Sequence, residues 1–87
     1  NRMIQTSLVV KHKNVIENRL IALLVQEANH FSCKISFQKD NKKINAKSIM
    51  GMMSLVLKEG DQIILIADGE DENAATESIK ELLEKSE

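Results

Sequence analysis

The residues best placed for chemistry lie in Asn45-Ala46-Lys47-Ser48-Ile49-Met50-Gly51-Met52-Met53, where one serine hydroxyl is set among apolar side chains. Ser48 follows a short strand signal and precedes a short helical one. It is therefore predicted to cap that helix, its hydroxyl accepting a bond from a free backbone N–H. An anion at such a position meets unpaired N–H groups and the positive end of the helix dipole, which makes the hydroxyl a candidate phosphoacceptor. Ile49, Met50, Met52 and Met53 crowd large apolar groups into about 1.5 helical turns, more than one buried face absorbs. Met52 and Leu55 are the expected core members, and the others form either an exposed docking patch of flexible, polarisable side chains or ordinary core.

No second constellation competes with this one. Neither His12 nor His30 has a cysteine or another histidine at metal-ligand spacing, and no glycine-rich phosphate loop is present, so no metal, cofactor or catalytic activity is implied. His12, between two lysines, reads as solvated surface; His30, placed in the last turn of the first helix, reads as a cation favoured by the helix dipole. Cys33 is the only cysteine, which rules out an intramolecular disulfide and suits a small buried hydrophobe. The 12 lysines and arginines nearly cancel the 13 acids, leaving a net charge of -1, so general affinity for nucleic acid or an anionic membrane is not expected. Phe31 and Phe37 are the only aromatic residues, too few stacking faces for single strands or sugar rings. No apolar run reaches the roughly 20 residues of a membrane span, and residues 1–25 lack a signal-peptide pattern, so a cytoplasmic protein with protein partners is expected.

The elements that must position Ser48 follow from periodicity. Residues 3–10 mix β-branched and apolar groups without a turn former and predict a first strand. After a polar loop, Asn18 is a good cap for a helix whose buried stripe is Ile21, Leu24, Val25 and Ala28, widened by Leu20 and Leu23. Cys33, Ile35 and Phe37 alternate with Lys34, Ser36 and Gln38 as in a half-buried strand, and Asp40-Asn41 can turn it into a hairpin with a short strand near Lys43-Ile44. A short helix is predicted over residues 48–55. Residues 62–67 are apolar on both parities, as in a central strand, and Asp68 to Glu72 place carboxylates at the start of a last helix with Ala75, Ile79, Leu82 and Leu83 inward. The order is βαββαβα, an open-faced sandwich in a single domain over residues 1–87.

With these residues in view, the chain resembles the histidine-containing phosphocarrier (HPr) family of the bacterial sugar phosphotransferase system. The resemblance runs through Val25-Gln26-Glu27-Ala28-Asn29, Lys39-Asp40-Asn41-Lys42-Lys43, the Asn45 to Gly51 segment and Ala67-Asp68-Gly69-Glu70-Asp71-Glu72. It implies an α+β fold with a four-stranded antiparallel sheet and helices on one face. It also implies that Ser48 is phosphorylated by an ATP-dependent HPr kinase/phosphorylase, and that the phosphorylated protein acts as corepressor with a LacI-type catabolite control regulator. Metabolic enzymes join the implied partners, and weak patterning of the first strand suggests exchange into a homodimer.

The family's phosphocarrier signature is a histidine followed by Ala-Arg-Pro, whereas this chain has Glu17-Asn18-Arg19-Leu20. A carboxylate cannot act as the imidazole nucleophile, so histidine-based phosphorelay is expected to be lost. Serine kept with histidine lost resembles the catabolite-repression HPr-like proteins. Glu17 reads either as a fixed charge imitating a phosphohistidine or as a tolerated polar residue. Arg19, Leu20, Ile49, Met50 and Met53 are the expected partner-binding residues. The alternatives are a phosphocarrier using another acceptor and an interaction module that needs no phosphate.

Overall fold

The computed structural model describes residues 3–11 and 19–84. Its elements are β1 (Ile4–Val9), α1 (Arg19–Ala28), β2 (Lys34–Lys39), β3 (Lys42–Asn45), α2 (Ile49–Met53), β4 (Gln62–Asp68) and α3 (Glu72–Glu84). This is the βαββαβα order that periodicity predicts, and the strands form one four-stranded sheet in the order β1-β4-β2-β3. All pairings are antiparallel. β4 lies inside the sheet, with Leu65 facing Thr6 on one side and Phe37 on the other. Its double pairing explains why it is apolar on both parities. Ile63, Leu65 and Ala67 enter the core, while Ile66, on the face without helices, is still only 7% exposed.

On the covered face, Leu8, Ile35 and Phe37 join the buried β4 residues beneath Leu20, Ile21, Leu24 and Ala28 of α1 and Ala75, Ile79 and Leu83 of α3. Leu20 is 1% exposed, which corrects its expected role in docking: it faces the sheet and is spent on core packing. Helix α1 ends at Ala28, so His30 lies in the turn beyond it, exposed, with Nδ1 3.5 Å from Glu27 Oε1. The β2–β3 turn places Asp40 at φ 55, the left-handed conformation that aspartate tolerates, and brings Lys39 opposite Lys42.

Helix α2 has five residues, shorter than expected. It stops because Ser54 turns back on it, its N–H donating to Gly51 O at 3.0 Å and its Oγ at 2.6 Å, after which Leu55 and Leu57 drop into the core. The link from β4 to α3 passes directly over Cys33. A Cβ on Gly69 would lie 2.6 Å from Cys33 Cβ and 2.7 Å from its Cα, and Gly69 has φ 154. Only glycine allows this approach. Gly69→Ala is therefore expected to lower stability by about 1–3 kcal/mol, read as a lower urea midpoint, because backbone as well as side chain must move.

Candidate functional site

The Ser48 turn is built at the end of β3. Ala46 is fully buried and its N–H donates to Ile35 O at 2.8 Å, fixing the backbone beside the sheet. Asn45 then accepts twice: its Oδ1 from Lys47 N–H at 2.9 Å and its carbonyl from Ser48 N–H at 3.1 Å. This delivers Ser48 in an extended conformation (φ -101, ψ 115) as the cap of α2, with Oγ accepting from Gly51 N–H at 3.1 Å. Gly51 permits a tight turn, since a Cβ there would sit 3.1 Å from Ile44 Cγ2 and 3.3 Å from Ser48 Oγ. The half-buried serine keeps its hydroxyl proton for further chemistry, beside the free N–H groups of the first helical turn.

The surrounding surface is apolar. Ile49 is 43% exposed, Met50 80% and Met53 47%, while Met52 and Leu55 are buried, so the crowded methionines divide between patch and core. Val56, at 65%, extends the exposed apolar surface along the chain. Its signal in the sequence is one of period 2, a lone outward residue between the inward Leu55 and Leu57 of an extended segment. The carbonyl of Val56 accepts from Lys39 Nζ, which also lies 3.0 Å from Asp61 Oδ2. The Lys39 hydrogen bond holds the Asp61 carboxyl below the usual carboxylate range.

The turn is tied to the rest of the molecule through residues 29–33. Lys47 Nζ donates to Phe31 O at 2.6 Å, and Asn29 Nδ2 reaches Lys47 O at 3.3 Å. Next along the chain, the Asp71 carboxylate accepts from Ser32 N–H at 2.8 Å, Cys33 N–H at 2.9 Å and Ser32 Oγ–H at 3.3 Å. The Ser32 N–H bond, followed by the bond to Cys33, lowers the Asp71 carboxyl to about 2. Cys33, 2% exposed, is pushed up to about 11, first by burial and then by Asp71, so it remains a protonated thiol at neutral pH.

Ser48, Ile49, Met50 and Met53 therefore share one surface segment. Arg19, the first residue of α1, is exposed, and α1 and α2 pack together. His12 and Glu17 lie outside the described residues. Among the described residues no group of three His, Cys, Asp or Glu side chains could hold a metal ion, and no helix is long and apolar enough to cross a membrane.

The Asp71 clamp predicts a pH dependence. Its folded-state value of about 2 lies below the ordinary 3.8, so its contribution is complete above about pH 4 and fades as pH falls through 2. Asp71→Asn should thus lower the urea midpoint at pH 7, with the gap from the parent protein closing toward pH 2. An equal gap at both pH values would contradict the assignment.

Comparison with known proteins agrees with this architecture. The family model described as the phosphotransferase-system HPr component phosphorylation site matches residues 4–85. The HPr-like protein Crh of Halalkalibacterium halodurans is 47% identical over 83 residues, covering 95% of this chain and 99% of that protein. The crystal structure of the phosphocarrier protein HPr from Bacillus anthracis superposes with a TM-score of 0.89 at 42% identity, covering 95% of this chain and 99% of that one. That of Crh from Bacillus subtilis, a dimer with a swapped domain, gives 0.74 at 43% identity, covering 97% of each chain. The described fold and the span of these matches place the chain in the HPr family, beside the HPr-like Crh proteins.

Proposed function

We propose that this chain is a non-enzymatic, cytoplasmic regulatory protein of carbon catabolite repression, phosphorylated on Ser48 by an HPr kinase/phosphorylase and then binding a LacI-type catabolite control regulator as corepressor. The observation that carries this reading is a serine capping α2 immediately beside the exposed Ile49, Met50 and Met53. A phosphate on Ser48 Oγ adds a charge of about -2 at the rim of an apolar patch, so a partner with matching apolar and cationic groups distinguishes the two forms. Arg19 supplies a cation from the exposed start of α1 for the phosphate or an acidic partner group. Similarity to Crh of B. subtilis, the catabolite repression HPr of that organism, supports the regulatory assignment. Glu17 at the histidine position removes the phosphoramidate chemistry, because a phosphorylated carboxylate is an acyl phosphate of different reactivity.

Incubation with HPr kinase and ATP should add one acid-stable phosphate, located on Ser48 by mass spectrometry and absent from Ser48→Ala. Enzyme I with phosphoenolpyruvate should add none. An acid-labile label would instead establish a carrier with another acceptor, and no label from either enzyme would leave the phosphate-independent module. In the phosphorylated protein, Met50→Asp should weaken regulator binding at least about tenfold while changing stability by less than about 0.5 kcal/mol, since Met50 is 80% exposed.

The swapped dimer of the B. subtilis relative extends by proposal to this chain through β1. Among the described residues β1 is an edge strand paired only with β4, so an identical β1 from a second copy satisfies the same register. Sedimentation at rising concentration should show a dimer that exchanges slowly with monomer; a single monomeric species throughout would exclude it.

A further inference from the structure

The face of the sheet opposite the helices carries a feature that the Ser48 reading does not use. A cavity of about 360 Å³ opens between β2 and β3, lined by Lys34, Ser36, Lys43, Asn45 and Lys47 together with the Ile35 and Ile44 segments, and among the described residues no carboxylate lines it. In a chain where acids outnumber bases, this is a local concentration of ammonium groups. The register explains the arrangement. Ser36 and Asn45 face each other at the centre, Lys34 lies two residues to one side on β2, and Lys43 lies two residues to the other side on β3. Lys47 follows Asn45 at the Lys34 end.

The polar groups are disposed as donors. Asn45 Oδ1 is occupied by Lys47 N–H, which leaves the Asn45 amide NH₂ to donate outward. Lys47 Nζ is held by Phe31 O at 2.6 Å and keeps further N–H groups available. No ion pair engages Lys34, Lys43 or Lys47 among the described residues, although Asp68 stands across from Lys34 on β4, outside the cavity wall. Lys34 and Lys43 are offset by four residues along the strands, about 13 Å, beyond what one phosphate bridges with relaxed side chains. The cavity volume is within the range of small-molecule sites.

We propose that this open-face cavity binds a small molecule carrying two phosphate groups, one held by Lys34 and Lys47 and the other by Lys43, with Ser36 and Asn45 donating to the bridge between them. Lysine serves this purpose as a movable point charge. The test is a titration of the ¹⁵N-labelled chain with hexane-1,6-diyl bisphosphate, with hexyl phosphate as the single-anion control, at constant ionic strength. Saturable amide shifts should cluster at Lys34, Ser36, Lys43 and Asn45, and the bisphosphate should bind at least about tenfold more tightly than the monophosphate, because its second contact is intramolecular. Lys43→Gln should reduce the bisphosphate to the affinity of the monophosphate, and Lys80→Gln, on α3, should not. Shifts spread over all lysines, equal affinity for the two ligands, or an unaffected Lys43→Gln would overturn the proposal.

Discussion

The fold depends on one close approach. Where the chain leaves β4 for α3, Gly69 lies against Cys33, and two residues later Asp71 takes the N–H groups of Ser32 and Cys33. A carboxylate at the start of α3 thus holds the start of β2, and the alignment is fixed by hydrogen bonds to backbone, which a change of side chain on β2 does not remove. Glu72 completes the corner, its carboxylate accepting from Gly69 N–H at 2.9 Å. Helix α3 is therefore located at its first turn before its apolar stripe reaches the sheet.

That corner also sets the position of the Ser48 turn. The segment bound by Asp71 is continuous with the one that receives Lys47 and donates Asn29. The end of α1, the start of β2, the cap of α2 and the first turn of α3 meet over residues 29–33. The serine and its patch stand on a short helix that could not hold itself together in isolation. Polar ties to this junction and the buried Ala46, Met52 and Leu55 supply what five helical residues lack.

Much of this architecture was legible in the sequence because it is written in local periodicity. The alternation of Cys33, Ile35 and Phe37, the stripe of α1 and the two-sided apolar character of β4 each report a neighbour's presence without naming it. The HPr resemblance of the Ser48 segment adds the site that periodicity leaves open. What was not legible is contact across distance. Asp71 reads as a carboxylate favoured by a helix dipole, and nothing local says that its partners are Ser32 and Cys33. Leu20 departs from the family pattern and so reads as a surface residue, although it also falls on the buried stripe of α1. The near-zero net charge hides the lysines gathered on β2 and β3, since a sum carries no geometry.

The sheet order has a consequence for how the chain is made. β1 and β2 share no hydrogen bonds: each pairs with β4, which lies between them although it is the last strand in the chain. Until residues 62–68 leave the ribosome, β1 has no partner in its own chain and only the β2–β3 hairpin can form. Assembly of the sheet is then a late event with a long loop to close, slow compared with helix formation. During that interval a nascent β1 can pair only with the β4 of a neighbouring chain whose own β1 has not yet docked. The rate of translation and the local crowding of sister chains therefore become variables in which pairing is made.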